Sequence, residues 1–120
     1  EFRESLKGQW GLLDVADVCA GAKYCVDQKW VNDKWLCIDG KSAGGYTTLA
    51  VLAFQDTFHA GASLYGVGDL SALVADTHKF ESRYLDNLIG PFPERKDLYD
   101  ARCPILKADK LNCPVILLQG

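Results

Sequence analysis

Leu36-Cys37-Ile38-Asp39-Gly40-Lys41-Ser42-Ala43-Gly44-Gly45-Tyr46-Thr47 is the stretch that decides how this chain folds. It begins inside a short apolar run, Trp35-Leu36-Cys37-Ile38, with the length and composition of a buried strand, and Asp39-Gly40 reads as its stop. From Ala43 to Phe54 the composition turns helical, although Gly44 and Gly45 are poor helix formers and need a packing reason to sit in the first turn. Between strand and helix lies Gly40-Lys41-Ser42-Ala43-Gly44, a G-x-S-x-G pattern in the position a nucleophile elbow requires. A serine there sits on a sharp, strained turn with its Oγ projecting above the sheet, and small neighbours keep the turn free of Cβ clashes. The pattern nominates Ser42 as nucleophile, with Gly40 and Gly44 as the glycines that make room for it. The N–H of Ala43, at the positive end of the helix, points to where an oxyanion forms during acyl transfer, which makes Ala43 a backbone oxyanion donor.

Outward from the elbow, apolar residues Val15, Val18, Cys19, Ala22, Cys25 and Val26 recur at the spacing of one helix face and predict a helix from Asp14 to about Trp30. His59 to Tyr65 fits a second central strand. Asp69 to Ala75 and Lys79 to Leu88 are helical in pattern, and Gly90-Pro91-Phe92-Pro93 ends the second of them. A short helix from Glu94 to Arg102 follows, and Pro114-Val115-Ile116-Leu117-Leu118 is a third apolar strand. Strands separated by helices imply parallel pairing and an α/β layer architecture. Together with the elbow, this is the pattern of part of an α/β-hydrolase fold, about three parallel strands with flanking helices.

Composition narrows the function further. With 48% hydrophobic and 24% charged residues the chain has an ordinary globular balance. A formal charge of −3 and the lack of any long Lys/Arg run argue against a nucleic-acid partner. The apolar stretches fall far short of the ~20 residues a membrane-spanning helix needs, so no membrane partner is expected. The five cysteines are irregularly spaced without a C-x-x-C pair, which suggests neither a disulfide framework nor a metal site, and reads as reduced thiols in a cytoplasmic protein. No cofactor is called for: Gly66-Val67-Gly68 starts a dinucleotide loop, but Ser71 stands where its third glycine belongs.

The elbow segment resembles the nucleophile segment of the prolyl oligopeptidase family of serine peptidases. Gly8-Gln9-Trp10-Gly11 and the helix starting Asp14-Val15 upstream, and Ala60-Gly61-Ala62-Ser63-Leu64-Tyr65-Gly66-Val67-Gly68-Asp69-Leu70, Phe80-Glu81-Ser82-Arg83-Tyr84 and Pro114 to Gly120 downstream, are similar to the same family. The resemblance implies a peptidase that cleaves peptides or acyl-peptides through an acyl-enzyme on Ser42. It also implies a catalytic Asp and His supplied beyond residue 120, and a second oxyanion donor ahead of the first residue. On this reading, residues 1–120 are the central part of a catalytic domain incomplete at both ends, partnered by a peptide substrate and by the remainder of its own domain. The absence of methionine and the opening on Glu1 fit an interior piece.

Within the chain only His59 and His78 carry imidazoles. His59 falls at the entry to the second strand, opposite the strand C-termini where parallel-sheet sites gather, whereas His78 follows that strand on the correct side. Tyr65, Asp69 and Phe80 are candidate walls of a substrate pocket. Two other readings stay open: an esterase or lipase on the same fold, since the elbow does not encode the acyl acceptor, and a noncatalytic binding module that has lost the triad. The strand before the elbow is normally central, so three strands leave it an open, nearly continuous apolar edge. Limited solubility is the expected behaviour of these 120 residues expressed alone, and a cooperative, monomeric unfolding transition for them would contradict it.

Overall fold

The computed structural model describes residues 1–76 and 83–120. Helices α1 (Phe2–Ser5) and α2 (Leu13–Asp27) lead through a 3-10 turn (Asp33–Trp35) into β1 (Cys37–Lys41) and α3 (Ala43–Phe54). Then come β2 (Ala60–Leu64), α4 (Leu70–Asp76), α5 (Tyr84–Leu88), α6 (Lys96–Ala101), a 3-10 stretch (Pro104–Lys110) and β3 (Val115–Leu118). The strands form one parallel sheet in the order β1-β2-β3, with Lys41 opposite Leu64 and Leu64 opposite Leu118. An α/β architecture with parallel strands is what the alternation of apolar runs and helical stretches implies.

The first strand differs from expectation. Asp39 and Gly40, read as its stop, lie inside it, paired with Ala62 and Ser63. Trp35, read as its start, is diverted into the 3-10 turn, because the Asn32 side chain accepts the Lys34 amide at 2.9 Å and turns the chain before pairing begins. Parallel pairing with β2 outweighs the low strand preference of Asp-Gly. The helix read from Lys79 to Leu88 is described only as α5, and Lys79 to Ser82 lie outside the described residues.

α3 is the centre of the molecule. Tyr46, Ala50 and Val51 are fully buried, and Thr48, Leu52 and Ala53 nearly so, so the helix is apolar almost all round, as a helix packed on every side must be. It lies on one face of the sheet, where a Cβ on Gly61 would run into the Leu52 side chain and where Ser63 Oγ donates to the Gly45 carbonyl at 3.3 Å. Val15 and Cys19 of α2, Leu70 of α4, and Leu85, Ile89 and Tyr99 complete the core.

The opposite face of the sheet is bare among the described residues. In-register partners share a face, so Ala62 and Leu64 align there with Ile116 and Leu118, both more than half exposed. The expectation of an open apolar row along the strand before the elbow is corrected accordingly. β1 does stand at an edge, but it exposes Cys37, Asp39 and Lys41, and the large apolar exposure is at β3.

A polar clamp ties the chain's start to its later half. Asp14 accepts the Gly11 amide on Oδ1 at 2.6 Å and the Thr47 hydroxyl on Oδ2 at 2.9 Å. Tyr46 Oη donates to the Arg102 carbonyl at 2.9 Å, and Arg102 Nη1 donates to the Trp10 carbonyl at 2.9 Å. Burial, reinforced by the Asp14 charge, holds the Tyr46 phenol above the usual tyrosine range, and burial pushes the Arg102 guanidinium down. The folded state therefore keeps the Tyr46 proton to higher pH than the unfolded chain, whose tyrosines titrate near ~10. The resulting stability is fully present below that pH and is lost as the pH rises through the folded-state value. Tyr46→Phe is expected to cost about 1 kcal/mol at neutral pH through the lost hydrogen bond. It should also make the decline in stability on the alkaline side shallower, as measured by urea unfolding across the tyrosine range.

Candidate active site

The elbow is built by a conformation that L-residues avoid. Ser42 has φ 53° and ψ −119°, outside the regions open to a side chain with a Cβ, at an expense of about 1–3 kcal/mol. The amide of Ser42 donates to the Leu64 carbonyl at 3.0 Å, and its carbonyl accepts the Tyr46 amide at 3.0 Å. One peptide bond thus belongs to the sheet and the next to α3, so the chain reverses within a single residue.

Glycine is required at two nearby places. A Cβ on Gly40 would land on the Gly44 carbonyl and 2.9 Å from Thr48 Oγ1. A Cβ on Gly45 would come within 2.5 Å of the Gly66 Cα. Gly44 corrects the sequence reading: a Cβ there meets nothing within 4 Å, because its side-chain direction is outward and it is the Gly44 backbone that Gly40 must accommodate. Gly45, which the motif does not include, is the glycine that lets α3 rest on the turn after β2.

Ser42 occupies the N-cap position of α3, where a serine ordinarily turns its oxygen onto an amide of the first turn. Here it makes no such bond, and the residue is exposed. The first α3 amide with an acceptor is that of Tyr46, which leaves the N–H of Ala43 available at the positive helix end. A free hydroxyl beside a free, field-assisted amide is the arrangement that acyl transfer needs, with Oγ as nucleophile and the amide facing the developing oxyanion.

Next to Ser42 and Ala43 opens a cavity of about 280 Å³, lined by Leu6, Trp10, Val67, Leu73 and by Leu85 and Leu88 of α5. Among the described residues its lining is apolar apart from Ser42 and the exposed Tyr84. Of the pocket walls read from the sequence, Tyr65 and Asp69 do not line it. Tyr65 stands exposed at the end of β2, and Asp69 accepts the Ser71 and Ala72 amides on Oδ1, capping α4. Phe80 and His78 lie outside the described residues. His59 is at the other end of the sheet, its amide bonded to the Leu36 carbonyl, and six residues of strand rise put it roughly 20 Å from Ser42. Among the described residues no group of His, Cys, Asp or Glu is assembled to hold a metal ion, and no helix is long and apolar enough to cross a membrane.

The sequence model of the prolyl oligopeptidase family matches residues 1–120. The chain belongs to that family. The structure superposes with a TM-score of 0.96 on a Mycobacterium tuberculosis puromycin-hydrolyzing peptidase, 46% identical in sequence, covering 99% of this chain and 18% of that one. Among curated relatives, a Caenorhabditis elegans dipeptidyl peptidase family member 6 is 27% identical over 94% of this chain and 16% of its own length. A Pseudoxanthomonas mexicana dipeptidyl aminopeptidase BIII is 25% identical over 100% of this chain and 18% of its own length. The chain therefore spans less than a fifth of the length of each of these relatives.

The strain at Ser42 can be measured. Glycine relieves about 1–3 kcal/mol of steric strain against about 0.5–1 kcal/mol of added chain entropy, whereas alanine relieves none. Ser42→Gly should therefore be more stable than Ser42→Ala by about 1 kcal/mol in chemical denaturation.

Proposed function

We propose that the protein carrying this chain is a serine peptidase that works through an acyl-enzyme on Ser42. The observation that carries this reading is the combination at one residue of a disallowed backbone, an uncapped and exposed hydroxyl, and the unpaired Ala43 amide. No packing or capping role explains a serine held in that way. In the proposed reaction Ser42 Oγ attacks the carbonyl carbon of the scissile amide, its proton passing to a histidine oriented by an aspartate, both supplied beyond residue 120. The tetrahedral oxyanion is held by the Ala43 N–H. Collapse expels the protonated amine and leaves an ester on Ser42, which water then cleaves by the reverse proton path.

The cavity beside the nucleophile suits the acyl-side residue of the substrate. Its apolar lining favours a large apolar or aromatic side chain and disfavours a charged one, which would be desolvated without a partner. The name of the M. tuberculosis relative supports aminoacyl amides of the puromycin kind as substrates, and the names of the other relatives support short peptides. We also assign residues 1–120 to the interior of a larger catalytic domain, whose remaining segments cover the bare sheet face of Ala62, Leu64, Ile116 and Leu118, since parallel sheets are covered on both faces. The five free cysteines support a cytoplasmic location.

In the full-length protein, Ser42 should react with a fluorophosphonate probe, and Ser42→Ala should abolish labelling and lower amide hydrolysis by at least about a thousandfold. Persistent labelling of the Ser42→Ala protein would reject the assignment. Hydrolysis of simple esters with no hydrolysis of peptide anilides would replace the peptidase by an esterase on the same elbow.

A further inference from the structure

Trp10 is held at both of its backbone polar groups. Its amide donates to the Leu88 carbonyl at 3.1 Å, and its carbonyl accepts from Arg102 Nη1 at 2.9 Å. Its ring lies on that of Tyr46, with centroids 4.4 Å apart and planes tilted by 39°. The following residue is equally confined: Gly11 has φ 86°, and a Cβ there would collide with Tyr46 Oη and approach Arg102 Cδ to 3.3 Å. Arg102 in turn is 6% exposed, and its own carbonyl accepts Tyr46 Oη. A guanidinium is expensive to bury, and the described bonds direct this one to a main-chain carbonyl rather than into a surface ion pair.

The segment so restrained borders two clefts: the apolar cavity beside Ser42 and a second cleft of about 340 Å³ bounded by Phe2, Asp14, Val18, Gly44 and Thr47. Leu6, Trp10 and Ala43 border both. The size of the cavity beside Ser42 thus depends on where Trp10 stands, and that depends in part on Arg102 and Tyr46, which do not line the cavity.

We propose that Arg102 is a positioning residue for acyl-side selectivity: through the Trp10 carbonyl, and with Tyr46 behind the ring, it fixes the indole as a wall of the cavity beside Ser42. This rests on the peptidase reading above and adds a determinant of specificity to it. Without the Arg102 bond the Trp10 segment relaxes toward the second cleft, the cavity loses its fixed wall, and small and large side chains are distinguished less sharply.

The test uses the full-length protein and anilide substrates with alanine, leucine or phenylalanine on the acyl side. Arg102→Met is expected to narrow the phenylalanine-to-alanine ratio of kcat/KM by about tenfold, the scale on which apolar pockets discriminate side-chain size. The change should appear mainly in KM, with Ser42 still labelled by a fluorophosphonate. Arg102→Lys, which keeps the cation and a donor, should recover part of the ratio. If Arg102→Met does not fold, Arg102→Lys against the unaltered protein carries the same comparison at full thermal stability. An unchanged ratio, or an equal loss on all three substrates that follows the melting temperature, would overturn the positioning role alone. Absence of labelling in the unaltered protein would overturn the peptidase reading and this proposal with it.

Discussion

Everything in this structure is arranged around one unfavourable torsion. The Ser42 backbone adopts a conformation that only glycine takes readily, and it stays there because both of its neighbours are already committed: its amide to the sheet through Leu64, its carbonyl to α3 through Tyr46. A strain of about 1–3 kcal/mol is small against the burial of α3, in which several side chains are removed from water at about 1.5–3 kcal/mol each. The helix cannot back away to relieve the turn, since Tyr46, Ala50 and Val51 would be drawn out of a close-packed core. The sheet cannot yield either, because Gly45 and Gly66 already touch backbone to backbone. Strain persists where the surroundings over-determine the geometry, and here they do so from both sides.

The same helix explains how distant parts of the sequence reach the elbow. Thr47 and Tyr46 sit on the first turns of α3 and face α2 and the lead-in loop, so Asp14 and Arg102 bond there rather than to solvent. These are buried or half-buried polar contacts, which specify an arrangement more than they stabilise it. Where the contact is buried, as between Tyr46 Oη and the Arg102 carbonyl, removing one partner leaves the other unsatisfied, so alternatives are disfavoured more strongly than the native arrangement is favoured.

How much of this was legible beforehand follows from how local each determinant is. Ser42, Gly40 and the helix from Ala43 to Phe54 were readable because an elbow is a five-residue device whose strand and helix adjoin it. The boundary of β1 was not, since what carries the strand through Asp39-Gly40 is pairing with Ala62 and Ser63, more than twenty positions away by register. Gly44 and Gly45 were indistinguishable in composition; only the direction of each Cβ separates them. Asp69, a candidate pocket wall in the sequence, accepts the Ser71 and Ala72 amides on Oδ1 and so caps α4. The residues that line the cavity beside Ser42, among them Leu6, Trp10 and Leu88, come from segments whose apolar residues read as ordinary core. Trp10 carried one usable signal, its place between Gly8 and Gly11, both of which have positive φ and fix the path of the loop.

The bond from Arg102 to Trp10 joins residues 92 positions apart, while the elbow's own contacts span only a few residues to a few tens. During synthesis the serine, its strand and its helix leave the ribosome well before the arginine does, and pairings of such long separation close late. The Ser42 turn therefore draws on nearer pairings and the place of Trp10 on a distant one. A nascent chain ending between Ser42 and Arg102 has the residues of the elbow but lacks the donor that holds the Trp10 carbonyl, so the two parts of the candidate site depend on segments completed at different times.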